Sequence, residues 1–454
     1  MSVAVALFTR DLRVHDNPVL HAAAAADQVV PLFVLDEALL TSDFNRPNRA
    51  RFLVESLRDL DEALMARGGG LVVRRGDVVD EVVGVARGVG AATVHVASDV
   101  SGYARRRAGR LREALAAHGA RLEVHDDALF VVPPGALRPA GGDHMAVFTP
   151  YFRRWQQHPA REVVPAPRRL DLPRLTRRQV PAADRLSPGR TSPDLPVGGE
   201  GAARKRMHAW LRAGLASYGD DHDALGEDNT SRLSPYLHFG CLSPLELVRL
   251  AEGDGSAGAA AFVRQVAWRD FHAQVLAARP DATRADYRPR GDRWVSHDDE
   301  VAAWREGRTG YPLVDAGMRQ LAREGWMHNR ARLVVGHFLC KTLYVDWRVG
   351  ARHFLDLLVD GDTANNTMNW QWVAGTGADT RFNRAYNVTL QARRHDPQGR
   401  YIRRYVEELA GVDDAYVHEP WLLPEDRFAT LGYPAPIVDQ DEAKERLRRG
   451  RPKG

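Results

Sequence analysis

VAVALF (Val3–Phe8) and VVPLFVL (Val29–Leu35) are continuous apolar runs rich in β-branched residues, and reading them as strands decides the fold of the first part of the chain. Three further runs follow at Leu71–Val73, Thr93–Val96 and Leu122–Val124. Helix-period segments lie between them; in Ala50–Arg67, residues Leu53, Leu57, Leu60 and Leu64 form one stripe and Gly68 stops it. Strands that are apolar throughout and separated by helices predict an α/β domain over residues 1–130, a five-stranded parallel sheet with helices on both faces. No G-x-G-x-x-G follows the first strand and no P-loop occurs, so a ligand of this sheet is not expected to sit on a glycine-cradled phosphate.

From residue 131 to 201 the pattern dissolves. Arg161–Arg190 holds eight Arg and five Pro against three acids, which predicts an interdomain connector on the surface. From 202 to 454 the strand signal nearly vanishes and a large all-α domain is expected. Eight of the ten tryptophans fall between Trp210 and Trp372, a density that sets a planar aromatic ligand or a chain of redox-active rings against plain aromatic packing.

Composition narrows the class. The 454 residues are 44% hydrophobic and 27% charged, as in a globular protein, and no run of about 18 apolar residues offers a membrane span. Cys241 and Cys340 stand about a hundred residues apart, which excludes a disulfide scaffold or zinc ribbon and fits a reducing, cytoplasmic setting. A net charge of +4 permits a polyanionic partner without demanding one. H-E-x-x-H, G-x-S-x-G and clustered Cys/His spacings are all missing, so neither hydrolytic nor metal chemistry is expected.

Three helical stripes carry polar groups where a core face should be apolar. They are Gln265, Trp268, Arg269 and His272; Asn329, Arg332 and Leu333; and Asp362, Asn366 and Trp370. Each alone reads equally as a solvent face, whereas three together suit the wall of a polar ligand cavity. Thr230-Ser231-Arg232-Leu233-Ser234 is a hydroxyl-rich turn ahead of a helix, able to receive phosphate or simply to cap that helix.

These segments resemble the photolyase/cryptochrome family over nearly the whole chain. The shared motifs are FTRDLR (8–13) with Asp16-Asn17, FTPY (148–151), TSRLSPYLHFG (230–240), AWRDF (267–271), TGYPLVDAGMRQL (309–321), GWMHNRAR (325–332), DWR (346–348) and DGDTANNTMNWQW (360–372). The resemblance is greatest to bacterial class I cyclobutane pyrimidine dimer photolyases of the deazaflavin type. It implies a light-driven DNA repair enzyme, a monomer acting on damaged DNA with no membrane, in which photoexcited reduced FAD donates an electron to the dimer. The alternative is a cryptochrome-like blue-light sensor without repair. FAD would be held by Tyr218, Thr230, Ser231, Arg232, Leu233, Ser234, Arg269, Arg332, Asp360, Gly361, Asp362 and Asn366, with Asn366 facing the flavin N5. Trp370, Trp347 and Trp294 would form the electron path, and Gln265, Trp268, Asn329, Arg330 and Trp372 would meet a flipped-out dimer.

Some positions depart from the family pattern. Gln265 stands where many dimer enzymes have glutamate. Asn329 and Leu333 occupy the places of the paired histidines of (6-4) enzymes, which disfavours that lesion, and Leu333 replaces a usual methionine. His222 stands where some members carry a phosphate-binding Arg, and NVTLQARRHD (387–396) loosens the family's N-P-x-x-Q-G-x-x-F-D. Asp36, Arg49 and Asp99 align with an antenna pocket for 8-hydroxy-5-deazaflavin, methenyltetrahydrofolate being the alternative; structural duty at strand ends accounts for these three equally well.

Overall fold

The computed structural model describes residues 1–378 and 387–451. Their contacts divide into two compact units. The first comprises Met1–Thr191, Pro196–Ala216 and Ser231–Pro280; the second comprises Ser192–Leu195, Ser217–Thr230 and the chain from Asp281 onward.

In the first unit all five expected strands form: β1 (Val3–Phe8), β2 (Gln28–Asp36), β3 (Val72–Gly76), β4 (Thr93–Ala97) and β5 (Arg121–His125). They make one parallel sheet in the order β3-β2-β1-β4-β5. The register sets Val5 opposite Val30 on one side and Val94 on the other, so β-branched side chains meet across three strands. Val5, Leu7, Leu32, Val72 and Val94 are buried in one cluster with Val79 and Val82 of α2 (Val78–Val89) and Leu111 of α3 (Gly102–Ala116). Each such side chain contributes about 1.5–3 kcal/mol on burial. The helix expected at Ala50–Arg67 is α1 (Pro47–Met65), with Leu57, Leu60 and Leu64 buried. Because β1 and β4 are neighbours, the winding reverses between them, and a crevice is expected beyond the carboxyl ends of these two strands.

The connector is less superficial than its composition predicts. It contains α4 (Phe148–Trp155), which buries Phe148, Tyr151 and Trp155. Downstream, Leu170 N–H donates to Arg67 O at 2.7 Å, and Val29 N–H donates to Asp171 O at 2.8 Å. Arginine-rich composition hides these backbone attachments, which need no particular side chain. The unit is completed by α5 (Glu200–Ala213), α6 (Ser234–Phe239), α7 (Pro244–Glu252) and α8 (Ala257–Ala278).

The second unit is helical, as the loss of strand signal predicts. It contains α9 (Pro312–Glu324), α10 (Asn329–His337), α11 (Trp347–Leu357), α12 (Thr363–Ala374), α13 (Val388–His395), α14 (Arg400–Tyr405) and α15 (Gln440–Gly450). Its core joins Trp304, Phe338, Trp347, Trp370 and Tyr401 to aliphatic side chains of α9 and α10. No helix among the described residues is long and apolar enough to cross a membrane.

Candidate functional site

The second unit walls a cleft with about 520 Å³ of open space. Asn329, Arg332 and Leu333 line it from α10, Phe354 and Leu358 from α11 and its end, and Asn365, Asn366, Asn369, Trp370 and Val373 from α12; Asp360 closes the rim. The α10 stripe, and Asn366 and Trp370 of the α12 stripe, thus face one cavity. The sequence reading missed Asn365 and Asn369, although the i,i+4 step between them runs beside the Asp362–Asn366–Trp370 stripe and signals the same face.

A chain of bonds fixes the polar wall. Arg332 donates from Nε to Met327 O and from its terminal nitrogen to Asp360 Oδ2, both at 2.8 Å. The Asp360 carboxyl is only 3% exposed, yet its Oδ1 has no hydrogen-bond partner among the described residues. A buried carboxylate oxygen without a donor is costly unless a ligand N–H or O–H completes it. Asp362 is the N-cap of α12, accepting from Asn365 N–H at 2.9 Å and from Asn365 Nδ2 at 2.8 Å. Gly361 is buried between these two acids. Asn366 donates from Nδ2 to Ala351 O at 3.0 Å, which fixes the orientation of its amide and leaves Oδ1 as the acceptor end.

The three tryptophans of the expected electron path all belong to this unit. Trp370 is buried at the cleft wall, edge-on to Phe354 at 4.9 Å. It rests directly against Gly350 of α11, where any Cβ would collide with the indole. Trp347 lies one turn earlier on α11; its Nε1 donates to Asp286 at 2.9 Å and the Arg348 guanidinium sits 4.7 Å from its ring. Trp294 is partly buried against the same core. Trp372 is half-buried and edge-on to His337 at 5.7 Å.

Other expected residues of this unit stand apart from the cleft lining. Tyr218 is 5.1 Å from the His222 ring, and its hydroxyl is pushed up to about 12 by burial and then by the Asp223 charge. Arg330 is held by both oxygens of Asp223, so its charge is already partnered. Thr230 Oγ1 is buried with no hydrogen-bond partner among the described residues.

The remaining expected residues belong to the first unit. In the turn, Ser231 O accepts from Arg206 Nε at 2.7 Å and Ser231 Oγ accepts from Leu233 N–H at 3.4 Å. Arg232 adopts φ +52°, and Ser234 is exposed at the start of α6. On α8, Gln265 is exposed, while Trp268 stacks on Phe148 with ring centroids 3.7 Å apart at 7°. One face of Trp268 is therefore covered. Arg269 donates to the carbonyls of Leu129 and Leu237, a positioning arrangement. Asp270, not singled out in the sequence, is fully buried and accepts from Val131 N–H, Val132 N–H and Trp155 Nε1, each at 3.0 Å. At the strand ends, Asp36 accepts from Ala38 N–H at 3.0 Å and from the Tyr103 hydroxyl. Asp99 accepts from Arg10 at 3.2 Å, and Arg49 lies 4.5 Å from the Phe44 ring.

Comparison with known proteins shows the family. The family model for DNA photolyase matches residues 4–169, and that for the FAD binding domain of DNA photolyase matches residues 262–451. The chain belongs to the photolyase/cryptochrome family. It is 57% identical to a deoxyribodipyrimidine photo-lyase of Streptomyces griseus, with 99% of each chain covered. Its fold is similar to that of a class III photolyase from Agrobacterium tumefaciens, with a TM-score of 0.92 at 31% identity over 99% of this chain and 97% of the other. It is likewise similar to a cryptochrome of Synechocystis, with a TM-score of 0.91 at 27% identity over 99% of both chains.

Proposed function

We propose that this chain is a deoxyribodipyrimidine photo-lyase, which splits cyclobutane pyrimidine dimers in DNA using blue light and bound FAD. The observation that carries the reading is the buried, unpaired Asp360 Oδ1 in a cleft of asparagines beside a buried tryptophan, matched by the FAD-domain family model. When bound, reduced FAD supplies a light-excited one-electron donor.

The chain's own groups would then do the following work. Asp360 Oδ1 accepts a hydrogen bond from the ligand while Arg332 balances the charge of the other oxygen. Asn366, anchored on Ala351 O, presents an amide oxygen that favours a protonated ring nitrogen without adding fixed charge. Tyr218, Thr230, Ser231, Arg232, Leu233 and Ser234 serve the phosphates and ribityl chain, with Thr230 Oγ1 available to a donor or acceptor there. Arg269 acts by fixing backbone around α6. Trp370, Trp347 and Trp294 relay electrons between the cleft and the protein surface. Gln265, Asn329, Arg330, Trp268 and Trp372 meet the damaged DNA, Trp268 offering the face that Phe148 leaves open. The domain assignment of 1–130 for an antenna, 131–201 for a connector and 202–454 for FAD and DNA belongs to the same reading. So does an 8-hydroxy-5-deazaflavin antenna near Asp36, Arg49 and Asp99, with methenyltetrahydrofolate the alternative. An additional absorption band on the purified protein identifies which is bound.

The similarity to the Synechocystis cryptochrome, together with Gln265 and Leu333 in place of the usual Glu and Met, supports a blue-light sensor as the second reading. One assay separates them. Reduced protein, dimer-containing single-stranded DNA and blue light should give light-dependent loss of dimers; no loss leaves the sensor.

A further inference from the structure

Gln265 and Trp268 stand on one stripe of α8, and the residue just before Gln265 is an arginine. Arg264 lies outside every motif that carries the family resemblance, AWRDF beginning three residues later. It is one turn from Trp268, at the i,i+4 spacing that makes two helical side chains neighbours. Phe148 of α4 touches both. Its ring stacks on Trp268 at 3.7 Å, and the guanidinium carbon of Arg264 lies 4.9 Å from its centre. Phe152, one turn along α4, runs nearly parallel to Phe148 at 15°, with centroids 5.6 Å apart. The same guanidinium is 5.3 Å from that ring too.

The rings beneath the arginine are firmly based. Phe148 is buried, and Phe271 meets Phe148 and Trp268 edge-on, at 84° and 90°. Trp155 continues the row beyond Phe152, inclined by 24°, and its Nε1 donates to the fully buried Asp270 of α8 at 3.0 Å. Arg264 itself is only half-buried, and among the described residues its charge meets ring faces with no carboxylate or carbonyl accepting from it. Arg269, five residues along the same helix, behaves otherwise and gives its donors to Leu129 O and Leu237 O. An arginine that serves the fold takes a carbonyl or an acid, as Arg269 does. Arg264 is oriented by π faces, which attract a cation without occupying its five N–H donors.

We propose that Arg264, held over Phe148 and Phe152, binds a backbone phosphate of the DNA strand that flanks the dimer. The inference rests on the reading of Gln265 and Trp268 as dimer contacts. The ligand is a phosphodiester and not a base edge, because the N–H fork of a guanidinium matches two phosphate oxygens while its plane rests on aromatic rings. A guanidinium already placed by those rings loses little further freedom when the phosphate arrives. Such a contact fixes the register of the strand and carries no information about the bases. It therefore adds to affinity for damaged and undamaged DNA alike, and discrimination stays with the groups that meet the dimer.

The test is the salt dependence of binding, measured in the dark on the full chain with single-stranded DNA that carries one thymine dimer or none. Removing one phosphate contact lowers the slope of log K against log salt concentration by about 0.7 on single strands. Arg264→Gln, whose amide still covers the two rings, should show that fall, with affinity down about three- to tenfold on both DNAs at roughly 0.1 M salt. The ratio of the two affinities and the melting temperature should stay native. Arg264→Lys, which keeps the charge, should restore the slope. A native slope in R264Q overturns the proposal, whatever happens to its affinity. A lost preference for the dimer at an unchanged slope overturns it as well, since the arginine would then only orient Trp268. The native chain decides the underlying reading separately. Equal affinity for the two DNAs would remove the dimer contacts and Arg264 with them; a preference for the dimer leaves the R264Q slope to decide the arginine's part alone.

Discussion

Asp315 and Asp360 belong to two acidic turns of the same helical unit, and each carboxyl is withdrawn from water, but they are completed differently. Asp315 Oδ1 accepts from Thr309 N–H and Thr309 Oγ1, both at 2.7 Å; Oδ2 accepts from Gly310 N–H at 3.0 Å and from the Tyr433 hydroxyl. Every acceptor site is filled by the protein itself, and burial pushes the carboxyl upward against those bonds. Asp360 gives one oxygen to Arg332 and leaves the other without a donor at a cleft rim. A saturated carboxylate is architecture, whereas a half-saturated one beside a cavity has an acceptor to spare for the ligand proposed above. Both lie in motifs that the resemblance marks equally, so only their partners tell the two apart.

The largest effect should come from the saturated site. Asp315→Ala strands three buried donors and the Tyr433 hydroxyl, and should lower stability by about 3–5 kcal/mol in chemical denaturation. A smaller loss than for the Asp360 substitution would reverse the contrast. Asp360→Asn keeps the shape and weakens the Arg332 bond, costing about 1–2 kcal/mol of stability. Its main consequence should be FAD affinity reduced about tenfold or more, read by titration of flavin fluorescence. Unchanged affinity would remove Asp360 from the site. Trp294→Phe should leave stability and FAD content intact, slow photoreduction of oxidised FAD and spare repair by pre-reduced enzyme. Normal photoreduction would break the assigned path.

The smallest effect compares the two units under acid. Burial lowers His353, whose Nε2 has no hydrogen-bond partner among the described residues, to about 4. Burial and the neighbouring His125 lower His95 on β4 to about 4 as well. An unfolded histidine titrates near 6.5, so the unfolded chain binds more protons between 6.5 and about 4. Stability from both groups is therefore present above 6.5 and lost as the pH falls toward about 4. His353→Gln should flatten the decline of melting temperature over that window, and His95→Gln should do so independently. An unaltered slope in both would show that neither histidine stays neutral in the fold.

The strands were legible because a buried parallel strand is apolar along its whole length, and β1 runs over the residues its sequence pattern predicts. The cleft was legible because polar groups repeated at helical spacing on α10 and α12, faces that a core would have made apolar. What local pattern does not carry is contact between distant residues. Phe148 covers Trp268 across 120 positions, Asp223 reaches Arg330 across 107, and the C-terminal Arg451 closes on Asp292 across 159. Each pairs ordinary residues, and nothing in either local stretch announces the other. Asp270 escaped notice for the same reason, its three donors lying in the connector and α4.

Flavin binding by the helical unit is the central prediction. Stripping the full chain of any bound cofactor and titrating it with FAD measures this directly. Saturable quenching of flavin fluorescence, at one FAD per chain and weakened by Asp360→Asn, is the predicted result. A native chain that stays colourless and quenches nothing at any FAD concentration would contradict it.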